Sequence, residues 1–172
     1  MNVITIFSII SALFLFGFII WGIVRFGLLP SYSCYSSKWD EAVPINSGNL
    51  WSFVTIIAAF LVLPGMLEVC AVSAWQFIAF LVPIYLIVIS LTPDWQTNET
   101  QYIVHMIFAI FCISGGLFWV LFIMRAFRVF AVTLILLATL GIFTRRLRSS
   151  ALFWLELLLF ICVYAVIFMV LL

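Results

Sequence analysis

The sequence predicts an all-α integral membrane protein, a six-transmembrane-helix bundle with one long first loop, and two observations carry that prediction. The first is composition. Of the 172 residues, 68% are hydrophobic and 8% charged, with a mean hydropathy of +1.41, whereas soluble domains are about half apolar and about a quarter charged. A water-soluble fold of this size has nowhere to hide so much apolar surface, so a bilayer becomes the solvent. The second is continuity. In a bilayer only helices and closed barrels satisfy the backbone, and the apolar runs here are unbroken rather than alternating, which selects helices.

A run of about twenty apolar residues crosses the hydrocarbon layer, and six stretches qualify. The first, 3–24, is closed by Arg25. Met1-Asn2-Val3-Ile4 lacks the basic start of a signal peptide and no small-x-small cleavage site follows, so this run reads as a permanent span. The second, 51–71, carries Pro64-Gly65 near its end, where the missing backbone donor predicts a kink. The third is 75–91, with Pro83 near its middle, and the fourth is 102–124. The fifth, 129–144, is short and bracketed by Arg125 and Arg128 before it and Arg145, Arg146 and Arg148 after it, so a re-entrant course is its alternative. The sixth is 151–172. Tight links at 72–74 and 125–128 make spans two and three, and four and five, antiparallel neighbours. No internal repeat interrupts the chain, and residues 1–172 read as a single transmembrane helical domain.

The first connection, 26–50, is the longest, and its Ser, Tyr, Pro, Asn and Gly content reads as an ordered interfacial loop. Within it Leu29-Pro30-Ser31-Tyr32-Ser33-Cys34-Tyr35 is expected to fold as a lid over the aromatic interface. Six spans place this loop, the 94–101 loop and the 145–150 loop on one side. That side gathers most of the polar residues together with Trp21, Trp39, Trp51, Trp95 and Trp154, amphipathic rings that suit a headgroup boundary. Counting basic residues makes the loop-rich side cytoplasmic with both termini outside. The triplet Asn98-Glu99-Thr100, a glycosylation sequon, argues the other way if the chain enters a secretory lumen.

Four side chains are candidate ligand contacts: His105, Asp94, Glu156 and Arg25. His105, the single histidine, lies about one turn inside span four, above Ala109, Cys112 and Gly116, a face of small residues that lets helices approach. It therefore points into the bundle, where an imidazole serves either as proton carrier or headgroup donor with Asp94 or Glu156, or as a structural tie to the 3–4 loop. Asp94 follows Pro93 and suits an Asx-turn as well as a ligand contact. Glu156 sits about 7–8 Å into span six and must find a cation, a proton or a wet cavity, the nearby arginines being the plain solution. Glu68 is read as a structural ion pair with Arg125 and Arg128.

Other chemistries find no support. A formal charge of +1 offers no footprint for nucleic acid. Cys34, Cys70, Cys112 and Cys162 are scattered and form neither a disulfide framework nor a metal spacing. One histidine cannot supply a multi-histidine zinc site, no Gly-x-Ser-x-Gly elbow occurs, and no cofactor or metal is expected.

Pro30-Ser31-Tyr32-Ser33 after span one, Thr92-Pro93-Asp94 after span three and His105 just inside span four give the chain a family likeness. It resembles the six-span, bacterial-type membrane family called domain of unknown function 998, which is distantly similar to DRAM-like and GPI-lipid-remodelling membrane proteins. The resemblance implies a six-helix architecture and a His/Asp interface site, and no particular reaction.

The expected function is that of a multi-pass, non-catalytic protein of the plasma or inner membrane that binds a lipid headgroup or small amphiphile at its loop-rich face. An organelle membrane is the alternative location. Two other classes remain open: a structural subunit of a larger membrane complex, or a homo-oligomer, and a small membrane enzyme acting on lipid with His105 as general base.

Overall fold

The computed structural model describes residues 2–42, 48–71, 75–123, 132, 136 and 150–172. Among the described residues every regular element is helical. Helix α1 (Val3–Phe26) is followed by a 3-10 turn (Tyr32–Cys34) and α2 (Tyr35–Ala42). Then come α3 (Gly48–Val69), α4 (Gln76–Ser90) and α5 (Glu99–Phe118), which runs into a π turn (Trp119–Ile123), and last α6 (Ala151–Leu171). Among the described residues four stretches are long and apolar enough to cross a membrane: Val3–Phe26, Leu50–Val69, Glu99–Leu121 and Ala151–Leu171. The third expected span is a shorter apolar helix of fifteen residues, and the fifth, 129–144, lies outside the described residues except for Val132 and Leu136.

Side-chain chemistry sets the helix ends. Asn2 caps α1 by accepting from the Ile4 and Thr5 amides at 2.6 and 3.3 Å, satisfying donors that lack an intrahelical partner. Gly27 closes it at φ 78°, a conformation natural to glycine, with its N–H returned to the Ile23 carbonyl. Asn98, the sequon asparagine, caps α5 by accepting from the Gln101 amide at 3.1 Å. Pro64 and Pro83 both lie within helices that continue past them.

Helix α1 turns hydroxyls inward and many large aliphatics outward. In its N-terminal half it buries Thr5, Ser8 and Ser11, further on Leu15, Phe18, Ile19 and Gly22, and it exposes Val3, Leu13, Ile20 and Val24, the last at 80%. An arrangement with hydroxyls inward and large aliphatics outward is favourable when the surroundings are hydrocarbon, because close helix approach then comes from small residues.

Helix α1 packs on α3, α3 on α4 and α4 on α5, while α6 touches α1, α3 and α5. At mid-bundle the Ser11 hydroxyl donates to the Ala58 carbonyl at 2.6 Å, which leaves Tyr164 to donate to Ser11 at 2.5 Å. One polar knot thus ties α1, α3 and α6. The far end of α5 meets the far end of α3 through the Trp119 indole and Cys70 sulfur, 3.0 Å apart. The start of α6 instead meets the loop after α1, where the Phe153 amide donates to the Pro30 carbonyl at 3.0 Å. Helices α5 and α6 therefore run parallel, with Ile123 and Ser150 at opposite ends of the bundle.

The first connection is more than a lid, because its aromatics belong to the core. Tyr32, Tyr35 and Trp39 are buried, and the Trp39 ring lies 4.1 Å from Trp21 and 4.8 Å from Phe26 between centroids. Tyr35 donates to the Gly27 carbonyl at 2.7 Å and lays its ring on Gly22, where an added Cβ would come within 2.9 Å of two ring carbons. Gly22→Ala is accordingly expected to lower stability by about 1–3 kcal/mol. Gly17→Ala, whose added carbon meets nothing within 4 Å, is expected to leave the thermal midpoint in detergent unchanged or raised.

Candidate functional site

The start of α6 lacks a side-chain cap from Ser150, so its orphan amides need partners from elsewhere. The Phe153 amide takes the Pro30 carbonyl. In return Glu156, one turn on, accepts the Tyr32 amide at 2.6 Å and so caps the 3-10 turn. This reciprocal pair fixes Glu156 beneath the first loop. Tyr32 is pinned at its other end as well: the Thr55 hydroxyl donates to the Trp51 carbonyl at 2.8 Å, so the Tyr32 phenol donates to Thr55 at 2.9 Å. Burial, reinforced by the nearby Glu156 carboxylate, pushes the Tyr32 phenol well above its ordinary range and keeps it a donor. Because the folded chain holds that proton more tightly than the unfolded one, this contribution to stability is lost as pH rises above about 10.

His105 is 2% exposed on the first turns of α5. Its Nδ1 lies 2.9 Å from the Thr92 hydroxyl, which itself donates to the Ile89 carbonyl at 2.7 Å. With its one proton so used, the Thr92 oxygen accepts from Nδ1–H, and the neutral ring keeps its lone pair on Nε2. The ring also stacks on Trp95, 4.6 Å between centroids and 14° from parallel.

These elements enclose a cavity of about 40 Å³ whose walls include Tyr32, Trp51, His105, Cys112, Glu156 and Phe160. Room of this size admits a few waters or a small polar group. Trp51 is fully buried, and its indole N–H has no hydrogen-bond partner among the described residues. Such a group is costly unless something joins it. The Cys112 thiol is already turned to the Val82 carbonyl at 3.7 Å. Glu156 and His105 are thus the ionisable residues among otherwise largely apolar walls, with Trp51 beside them.

The structure brings together two of the four expected ligand residues, Glu156 and His105. Asp94 is exposed and acts through its backbone: its carbonyl accepts from the Thr97 and Asn98 amides, and its amide donates to Gln101 at 3.0 Å. That turn carries its carboxylate to solvent, away from the cavity walls. Arg25 is also exposed, in the last turn of α1, where a cation suits the helix C-terminus. The hydrogen-bond partner of His105 is Thr92 rather than Asp94 or Glu156, which ties the 3–4 loop to the bundle. Glu156 takes the Tyr32 amide, and the Arg145, Arg146 and Arg148 cluster lies outside the described residues. Glu68 is exposed at the end of α3, and its expected partners Arg125 and Arg128 lie outside the described residues.

Sequence reasoning missed Trp51, Tyr32 and Thr92. Trp51 reads like any interfacial tryptophan, and nothing local marks its N–H as unpaired. No group of three or more His, Cys, Asp or Glu side chains able to hold a metal ion occurs among the described residues. No family model, curated protein or solved structure matches the chain.

Glu156→Ala removes the acceptor of a part-buried amide and is expected to cost about 1–3 kcal/mol. The readouts are a lower thermal midpoint and faster hydrogen exchange at the Tyr32 amide. Glu156→Gln keeps an oxygen at the same place and should recover most of both losses.

Proposed function

We propose that the chain is a six-span, non-catalytic protein of a plasma or inner membrane that holds the head of a lipid or small amphiphile between His105 and Glu156. One observation carries this reading: the ionisable residues Glu156 and His105 line one otherwise largely apolar cavity, together with Trp51, whose buried indole N–H has no hydrogen-bond partner among the described residues. An ionisable group in a spanning helix is expensive, and proteins keep such groups where they face a partner or a water-filled space. Glu156 accepts one amide, and a carboxylate has capacity for several more donors. The size of the cavity suits a headgroup fragment, with the rest of the ligand elsewhere. The six-span count draws on the parallel course of α5 and α6, since parallel neighbours in one bundle need a return crossing between them.

The test is to purify the protein in a neutral detergent and record native mass spectra. The wild type is expected to carry a bound amphiphile. Trp51→Phe, which keeps an aromatic ring in place and removes the N–H, and His105→Ala are expected to lose at least half of it while keeping their helical circular dichroism. A bare wild-type spectrum would overturn the proposal. Survival only in the company of other membrane subunits would favour the structural-subunit reading instead.

A further inference from the structure

The turn between α4 and α5 is a self-bonded unit with two fixed ends. Thr92 stays with α4 through the Ile89 carbonyl, and Asn98 stays with α5 as its cap. Between them the Asp94 carbonyl accepts from the Thr97 amide at 3.0 Å and from the Thr97 hydroxyl at 3.2 Å. Asp94, Gln96 and Thr97 are exposed. Polar ties outward from the turn are slight. The Asp94 amide donates to the Gln101 side chain at 3.0 Å in an exposed setting. Ser36 offers the Pro93 carbonyl only a share of its one hydroxyl proton, at 3.2 Å against 2.8 Å to the Ser33 carbonyl.

The larger contact is made by Trp95. Its ring lies on His105, 4.6 Å between centroids and 14° from parallel, and also faces Tyr102 at 6.2 Å and 25°. Tyr102 is exposed, whereas His105, about one turn further along α5, is buried. The half-buried indole therefore reaches from the surface to the imidazole and covers one of its faces. Closure leaves a group unpaired, because the Trp95 N–H is buried with no hydrogen-bond partner among the described residues. Water or a headgroup oxygen would take that proton once the ring swung outward, so the closed turn forgoes a bond that the open one recovers. We propose that residues 93–97 form a lid that lays Trp95 over His105 and swings outward as a unit, admitting solutes to the imidazole from the loop-rich face. Thr92 is the fixed catch. It remains on α4 and holds the Nδ1 proton, so opening bares a ring whose lone pair already sits on Nε2. The lid is a statement about the way in and holds whichever molecule the cavity takes.

His105 is the single histidine of the chain, so its reactivity reports the lid without interference. The purified full chain in a neutral detergent is treated with diethyl pyrocarbonate, which transfers an ethoxycarbonyl group to an unprotonated imidazole nitrogen while ethyl carbonate leaves. Modification of His105 is followed by peptide mass spectrometry. Wild type is expected to react slowly compared with N-acetylhistidine. Trp95→Ala removes the cover and should speed the reaction by at least about tenfold; Trp95→Leu replaces it should that variant not fold. Trp95→Phe restores an aromatic cover and should recover most of the slowness. Gln101→Leu tests movement, since it loosens an outward tie and leaves Trp95 in place. It should speed modification by roughly fivefold, the factor that one ordinary hydrogen bond supplies. Alkylation by N-ethylmaleimide of Cys162, buried in α6, should stay unchanged in every variant. Equal rates in wild type and Trp95→Ala would overturn the lid, as would a parallel rise at Cys162, which marks general loosening. Acceleration in Trp95→Ala but not in Gln101→Leu would overturn the swing and leave a fixed cover. These rates are read from the chain alone, so their outcome is separate from that of the native mass spectra.

Discussion

The bond pair between the start of α6 and the loop after α1 is the constraint on which the functional end of the molecule depends. Phe153 gives its amide to Pro30, and Tyr32 gives its amide to Glu156. Each bond satisfies a group that its own helix or turn leaves open, so neither segment is well ended without the other. The consequences spread outward from there. Tyr32 is held over Trp51 and Phe160, Tyr35 and Trp39 settle onto α1, and Glu156 is fixed as a cavity wall instead of reaching for the surface. A carboxylate one turn inside an apolar helix is thus explained structurally by one of its oxygens, which leaves the rest of its capacity for a ligand.

Elsewhere the interior is economical with polarity. Ser11, Ala58 and Tyr164 form a closed set in which every donor has an acceptor. Thr92 and His105 form another, completed by the Ile89 carbonyl. Thr55 returns its proton to Trp51 and takes one from Tyr32. Against this background the buried indole N–H groups of Trp51, in the cavity wall, and of Trp95, stacked on His105, have no hydrogen-bond partner among the described residues. Local rules of polar satisfaction tend to be broken where a protein binds something, and Trp51 shares the cavity wall with Glu156 and His105.

Much of the frame is legible from apolar run length alone. The runs 3–24 and 151–172 anticipate α1 (Val3–Phe26) and α6 (Ala151–Leu171) to within two residues, because a span in hydrocarbon must be long and continuous. The inward aim of His105 is also legible, since Ala109, Cys112 and Gly116 mark a face of close approach, and His105, Cys112 and Gly116 are buried. The start of α5 is less so: capping by Asn98 extends the helix to Glu99, three residues before the apolar run begins. Helix α2 is not legible at all, being eight residues held by aromatic contacts with α1. The same holds for the partner of Glu156, which is 124 residues away in the chain and is a backbone amide that every residue but proline possesses. Asp94 was attractive for its type and position, yet turn geometry spends its backbone and leaves its side chain outside.

Occupancy of the interior can be seen directly. The purified protein in a neutral detergent is irradiated with a photoreactive amphiphile whose diazirine sits next to its head, and the adducts are mapped by peptide mass spectrometry. The account predicts labels on residues of the cavity wall such as Trp51, Leu86 and Phe160, competed by the same amphiphile without its diazirine. Labels confined to the outward face, on Leu13, Ile20 and Val24, and unaffected by competitor, would show a chain bathed in amphiphile and holding none.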